Sequence, residues 1–450
     1  MTRAAVILAA GMGTRMKSAV PKAMHAVAGR PLLGHVIEAA RGAGAERIVV
    51  VASKEGDAVC AYAASLGAET AIQAEQLGTG HAALCAGAAL AGFDGSVLVN
   101  NADMPLVTAP TLRAAFEAAE KVGFSAAAFR PADPARYGRV ILDRDGLLDR
   151  IVEYKDASEA ERRVDLCCAG SYAAARAKDF FRWAASLDND NVQKEYYLPQ
   201  VPTIAKRDGV ACAVPVADAV EVMGVNSRAE LAEAEAQMQT RLRAAALEAG
   251  VGMTAPQTVF LSYDTVLEAD AAIGPYVVFG PGVTVKSGAE IRAFSHLEGA
   301  VVETGAIVGP YARLRPGAHL EEDVHIGNFV EVKKTRVEKG AKANHLAYLG
   351  DARVGAGANI GAGTITCNYD GFDKFETDIG ANAFIGSNTA LVAPVKVGDG
   401  AYVGAGSTIA KDGVLEDALA LARAARKDVA GWAAKFRARK RAAKAGKDGK

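Results

Sequence analysis

Apolar positions in the first half of the chain follow two alternating rhythms. Val6-Ile7-Leu8, Ile48-Val49-Val50-Val51 and Ser96-Val97-Leu98-Val99-Asn100 are short continuous apolar runs, as expected of strands covered on both faces. Between Pro31 and Ala43, Leu32, Leu33, Val36, Ile37 and Ala40 recur at helical spacing. The alternation predicts an α/β unit, a mostly parallel sheet packed with helices, over residues 1–228. Arg228 to Glu248 is rich in Ala, Glu, Gln, Leu and Arg, lacks Gly and Pro, and stops at Gly250, which predicts a long helix. Its apolar stripe, Leu231, Met238 and Leu242, is thin, so residues 229–249 read as a stiff connector.

Beyond Gly250 the rhythm changes to a period of six. Leu267, Ile273, Phe279, Val285, Ile291 and Leu297 form one series, and Val302, Val308, Leu314, Leu320, Ile326 and Val332 resume it after a one-residue slip. Val354 and Ile360 follow, then Ile379, Ile385, Leu391, Val397, Val403 and Ile409. Neither a helix nor an ordinary strand repeats every six residues, whereas a parallel β-helix of hexapeptides does. Three hexapeptides make one triangular coil, so residues 18 apart stack. Glycine follows many of the inward positions, as in Ile273-Gly274 and Ile326-Gly327, which suits a tight corner. The pattern lapses twice, from Val332 to Val354 and from Ile360 to Ile379, where corner insertions are expected to carry function.

Composition narrows the class. Half of the 450 residues are hydrophobic and the charge nearly balances at −1, which describes a globular chain. No apolar run approaches the roughly 18 residues of a membrane span, and the N-terminal apolar stretch runs straight into Gly11-Met12-Gly13, so it reads as a strand and turn, not as an address. Cys60, Cys85, Cys167, Cys168, Cys212 and Cys367 include no CxxC pair, and they read as reduced thiols of a cytoplasmic protein. Lys and Arg crowd the end of the chain after Arg423 without a stacking platform. Residues 424–450 are therefore expected to be a solvated, disordered tail, not a nucleic-acid or membrane anchor.

The chemistry begins at Leu8-Ala9-Ala10-Gly11-Met12-Gly13-Thr14-Arg15-Met16, followed by Pro21-Lys22. Its glycines let backbone N–H groups approach phosphate, and Arg15 and Lys22 add charge. By itself the pattern is compatible with a nucleotide loop or with a plain turn. It resembles the signature of sugar-nucleotide pyrophosphorylases. Gln73-Ala74-Glu75-Gln76-Leu77-Gly78-Thr79-Gly80-His81-Ala82 is similar to the uracil-reading segment of one family among them, the bifunctional N-acetylglucosamine-1-phosphate uridyltransferases/glucosamine-1-phosphate N-acetyltransferases. The resemblance runs from Leu8 to Arg423. It implies a Rossmann-like nucleotidyltransferase domain (1–228), the helical linker (229–249) and a left-handed β-helix acetyltransferase domain (250–423). It also implies a homotrimer built through the prism, and a sugar nucleotide for peptidoglycan and lipopolysaccharide precursors.

Residue by residue, the resemblance implies UTP contacts from Leu8, Ala9, Ala10 and Gly11. Arg15 and Lys22 would be a catalytic basic pair, and Gln73, Gly78 and Thr79 a uracil pocket. Gly138 and Glu153 would be sugar contacts, and Asp103 and Asn226 ligands of Mg²⁺. The chain departs from the family twice. Ala102 precedes Asp103 where the family has Gly, and Cys168 stands where it has an Asn, and a thiol is a poor replacement for an amide that donates and accepts.

In the repeat region Arg315 and Lys333 lie 18 apart, each just after an inward residue, so they should stack. Two stacked cations call for an anion, and a sugar phosphate would serve. The resemblance places glucosamine-1-phosphate at Arg315, Lys333, Tyr348 and Asn359, and a general base at His345. It places acetyl-CoA at Ala362, Asn368, Tyr369, Ser387, Ala405 and Arg423. Three rivals remain on the residues alone: a one-activity nucleotidyltransferase with a structural prism, a zinc hydratase on the same coil, and a non-catalytic scaffold. His345 and the Asn368-Tyr369 segment oppose the first. The six-residue spacing of His319 and His325 opposes the second. The joint presence of Arg15, Lys22, Asp103 and Asn226 opposes the third.

Overall fold

A computed structural model describes residues 1–11, 13–134 and 137–445 and resolves two compact units. The first comprises Met1–Glu248 with Phe260–Thr265, the second Ala249–Val259 with Val266–Lys450. Met12 of the front loop and the last five residues of the basic tail lie outside the described residues.

In the first unit the apolar runs become the strands β1 (Arg3–Leu8), β2 (Arg47–Ser53), β3 (Glu69–Gln73) and β4 (Ser96–Asn101). They are joined by β5 (Gly123–Phe129), β6 (Arg139–Leu142), β7 (Leu148–Val152), β8 (Cys167–Ala174) and β9 (Ala211–Ala213). The main sheet order is β9-β5-β8-β4-β1-β2-β3, with the β6–β7 hairpin attached through β8. β1 pairs in parallel with both β2 and β4, and β8 alone along this path runs antiparallel to its neighbours. The helix Leu32–Gly42 buries Leu32, Leu33, Val36, Ile37 and Ala40 completely, as its spacing predicts.

The long helix Arg228–Glu248 is more than a spacer. Ala234 and Met238 pack with Val27, Leu32, Leu106 and Val225. Its polar side chains do what the thin apolar stripe cannot. Glu235 accepts the Ala28 N–H at 2.7 Å, and the Gln239 amide both donates to the Leu261 carbonyl and accepts its N–H. Each exchange satisfies a backbone group that would otherwise be costly to bury.

The second unit is a stack of short parallel strands in sheets of ten and fourteen among the described residues, which fits the left-handed hexapeptide prism. Ile273 pairs with Ile291, Val308 with Ile326, and Leu314 with Val332, one 18-residue coil apart. Elsewhere coils contract to 17 residues, as where Leu297 meets Leu314 and Val332 meets Leu349.

Three expectations are corrected here. The lapse from Val332 to Val354 is no insertion: Val337, Ala343 and Leu349 occupy the inward positions. One-residue contractions shift the phase, and Ala343 is too small to stand out. The lapse after Ile360 is a true insertion, because Ile360 pairs with Ile385, 25 residues on. The glycines after inward positions also serve another purpose than corner freedom. A Cβ on Gly274 would lie 2.7 Å from the Ala293 nitrogen of the next coil, so glycine is there for stacking distance. The left-handed corners fall on glycines such as Gly282, Gly288 and Gly309 and also on residues with side chains, including Tyr276, Phe294, Tyr311 and Phe329. Finally, the tail expected to be disordered carries an exposed helix over Trp432–Ala445. Its alanines alternate with Lys and Arg, all good helix formers, which a charge count does not weigh.

Candidate functional site

In the first unit, strand ends converge on one cleft. β1 ends at Leu8, whose carbonyl accepts the Ala102 N–H at 3.0 Å, so the front loop and the Asp103 turn leave the sheet side by side. This is the carboxyl edge of parallel strands, where α/β sheets place ligands. A cavity of about 350 Å³ is lined there by Leu8, Ala9, Ala10, Gly11, Lys22, Gln73, Gly78, Thr79 and Asp103, together with Gln76, Asn101 and Glu195.

Each wall has a local cause. Gly78 adopts φ +107, and a Cβ there would sit 2.7 Å from the Tyr196 carbonyl, so only glycine closes this turn. Gln73 is buried and its amide donates to the Gly78 carbonyl at 3.1 Å. The Thr79 hydroxyl accepts the Leu198 N–H at 3.2 Å. Arg15, in a short helix with an αL residue at either end, is exposed and does not line the cavity.

Lys22 is engaged. Its Nζ lies 2.5 Å from Asp103 Oδ2 and 3.0 Å from Asn226 Oδ1. Asn226 is held by its own N–H donating to Glu230 at 2.8 Å, and the Val225 N–H binds the Asp103 carbonyl at 2.8 Å. The two residues proposed as metal ligands thus meet across 123 positions of sequence on a single cationic atom.

A second cavity, of about 230 Å³, shares Thr79 and Asn101 with the first and adds Gly138, Glu153, Cys168 and Tyr172. Burial lifts the Glu153 carboxyl above the ordinary carboxylate range, Asp156 and Glu195 add to that, and Lys155 partly offsets it. Burial pushes the Cys168 thiol up to about 11, so it is a neutral group. Its Sγ lies 3.1 Å from the Tyr172 hydroxyl, and burial, with Cys168 beside it, raises that phenol too.

In the second unit the predicted residues fall into columns along the prism. Leu314 and Val332 pair in register, and the Arg315 N–H donates to the Val332 carbonyl at 2.8 Å, which stacks Arg315 beside Lys333. The protein supplies part of the anion that two stacked cations require. Arg315 Nη1 is 2.8 Å from Glu331, and Lys333 Nζ is 3.8 Å from Asp351. The cation pair is therefore weaker support for a bound phosphate than its spacing suggests. Asn368 is buried with its amide on Asp351, and Tyr369 is exposed on the inserted loop.

His345 closes the strand Lys342–His345 and is paired in register with Asn328. Its Nδ1 lies 2.7 Å from Asn328 Oδ1. An amide oxygen only accepts, so Nδ1 carries a proton, and in the neutral ring the lone pair is on Nε2. Sequence reasoning missed Asn328, which only the coil register exposes. Tyr348 begins the next strand, three residues beyond His345. The register pairing Lys342 with Asn359 and Ala343 with Ile360 carries His345 onto Ala362 two residues further on. From Ala362 the column continues. The Asn388 N–H binds the Ala362 carbonyl, the Gly406 N–H binds the Ser387 carbonyl, and Arg423 Nη1 donates to the Ala405 carbonyl at 2.9 Å. At a strand spacing of about 4.8 Å, the three coils from His345 to Ala405 span roughly 14 Å, the reach of a long cosubstrate laid along one edge.

The fold and these two sites define a nucleotidyltransferase unit joined to a hexapeptide-repeat transferase unit. Residues 5–170 match the MobA-like NTP transferase domain, and residues 376–411 match six bacterial transferase hexapeptide repeats. The chain is 52% identical to the bifunctional protein GlmU of Paramagnetospirillum magneticum over 450 residues, 99% of each chain. It is 56% identical to that of Rhodospirillum rubrum over 441 residues, 97% of this chain and 98% of the relative. It is 54% identical to that of Caulobacter vibrioides over 445 residues, 98% and 96% of the two chains. The chain belongs to the family of bifunctional GlmU proteins.

Proposed function

We propose that the second unit transfers the acetyl group of acetyl-CoA to the amine of glucosamine-1-phosphate. The first unit then transfers uridylyl from UTP to N-acetylglucosamine-1-phosphate, giving UDP-N-acetylglucosamine and pyrophosphate for cell-wall precursors. The observation that carries the reading is the pair of constellations: the Lys22–Asp103–Asn226 cluster in a strand-end cleft, and the His345 column on the prism.

At the first site the sugar-phosphate oxygen attacks the α-phosphate of UTP, and alignment and charge neutralisation do the work. Leu8 to Gly11 offer backbone to the nucleotide, Gln73, Gly78 and Thr79 hold the uracil, and Gly138 and Glu153 orient the sugar. Asp103 and Asn226 present hard oxygens to one cationic atom, a donor set that suits Mg²⁺ completed by phosphate and water. Bound there, the ion would neutralise triphosphate charge. Lys22 would share that task with Arg15, which sits in an exposed short helix outside the cavity wall.

At the second site Arg315, Lys333, Tyr348 and Asn359 hold glucosamine-1-phosphate. His345 Nε2 takes the proton of the attacking amine. Acetyl-CoA lies along Ala362, Asn368, Tyr369, Ser387, Ala405 and Arg423. Assembly as a homotrimer through the prism is part of the reading. It is supported by an exposed ladder of stacked rings, Tyr276, Phe294, Tyr311 and Phe329, with centroids 4.9–5.3 Å apart. No helix among the described residues is long and apolar enough to cross a membrane. A cytoplasmic location completes the reading, supported by six cysteines that are all free thiols.

Assaying the purified chain with glucosamine-1-phosphate, acetyl-CoA, UTP and Mg²⁺, and following CoA and pyrophosphate separately, tests both halves. Two substitutions test named contacts. Asn328→Ala is expected to lower acetyl-transfer kcat about tenfold, the worth of one hydrogen bond to a ring that becomes charged. Asn328→Asp places a carboxylate on Nδ1, which favours the protonated ring, so the acid-side loss of activity should begin at higher pH. An unmoved pH profile removes Asn328 from the mechanism. Cys168→Asn supplies an amide that donates and accepts, and should lower KM for N-acetylglucosamine-1-phosphate about fivefold. An unchanged KM would place the sugar away from residue 168.

A further inference from the structure

We propose that the Lys22 ammonium and a divalent cation compete for the same two oxygens, so that metal enters this site readily only when nucleotide phosphates draw Lys22 away. The inference rests on the reading of Asp103 and Asn226 as metal ligands and gives Lys22 a second position that the reading lacks. Lys22 Nζ bridges Asp103 Oδ2 at 2.5 Å and Asn226 Oδ1 at 3.0 Å. The Lys22 and Asp103 side chains are only 17% and 16% exposed, so their attraction is less screened than that of a surface pair. A bare divalent ion approaching these oxygens meets an ammonium already seated there and must either displace it or share the site with a like charge.

Gly13 holds φ +60, and a Cβ there would lie 2.7 Å from the Lys22 Cβ. The lysine stem therefore runs against the glycine loop. Lys22 lines the same cavity as the backbone of Ala9 to Gly11, which would face the nucleotide. A triphosphate in that cavity offers the ammonium a richer set of anionic oxygens than the Asp103–Asn226 pair. As Lys22 moves onto phosphate, the two oxygens are released to the metal, and neither the carboxylate nor the ammonium is left without a counter-charge. Metal and nucleotide then favour each other's binding, and the coupling is reciprocal. Lys22 acts as an exchangeable counter-ion as well as a phosphate ligand.

The test is a titration of the full-length chain with Mn²⁺ alone, without nucleotide, with free Mn²⁺ read by electron paramagnetic resonance. Lys22→Met keeps the stem against Gly13 and removes the charge, and it should bind Mn²⁺ about tenfold more tightly than wild type, as expected for removal of one competing charge-assisted bond. Lys22→Arg keeps the charge and should stay near wild type, while Asp103→Asn should bind more weakly. If Lys22→Met shows no gain while Asp103→Asn weakens binding, the exchange is overturned and the metal assignment survives. If Lys22→Arg gains as much as Lys22→Met, charge is not the cause and the exchange is likewise overturned. If Asp103→Asn binds as well as wild type, the metal assignment itself fails, and the exchange with it.

Discussion

Replacing His345 by alanine should lower CoA release by about 10²- to 10⁴-fold, the usual worth of a positioned general base, and leave pyrophosphate release from UTP unchanged. The amine of glucosamine-1-phosphate is a nucleophile only after it sheds a proton, and an imidazole with a free Nε2 can take it. Asn328 holds the other ring nitrogen at 2.7 Å and fixes which nitrogen is free. Because neutral imidazole is the competent form, wild-type acetyl transfer should fall in acid. The residues proposed for the two activities lie in different compact units, so one variant assayed with both readouts contains its own control. Loss of both activities together would refute separate sites, and retained acetyl transfer would refute the base.

Asp103→Asn is the second large effect. The substitution keeps the shape of the side chain and removes its charge, so the strand-end turn should survive. Pyrophosphate release should fall by about 100-fold or more, the scale on which active-site electrostatic groups contribute. The residual activity should need more Mg²⁺ for half-saturation. A Mg²⁺ titration that superimposes on wild type would remove Asp103 from the metal site, whatever happens to the rate. Acetyl transfer should be untouched.

The sequence discloses the two units unequally. Continuous apolar runs announce β1, β2 and β4 because strands covered on both faces need no polar side. The prism announces itself because each coil needs an aliphatic residue at every sixth position. That signal fades where physics permits a substitute. Ala343 fills an inward position without looking hydrophobic, and buried Thr366 does so as a hydroxyl residue whose oxygen bonds to the Gly350 backbone. The candidate sites are legible where a motif is local, as from Leu8 to Gly11 and from Gln73 to Thr79. They are illegible where folding joins distant segments. Asn101 could have been suspected as the last residue of a strand before Asp103. Glu195 enters the cleft from a loop with no local signature. Asn328 becomes visible only once a coil is known to contract to 17 residues, which sets it opposite His345.

The glycines between coils bear on more than packing. Gly327 immediately precedes Asn328, and a side chain there would run into the backbone of Asn344, the residue before His345. Two coils are thus held at bare backbone separation at the very place where an amide must reach an imidazole. Strand spacing, set by peptide hydrogen bonding, becomes the ruler that aligns the proposed proton acceptor. Any bulkier residue at 327 would act as a wedge, lengthening the Asn328–His345 contact through a gap between main chains and weakening the proposed base without removing any side chain.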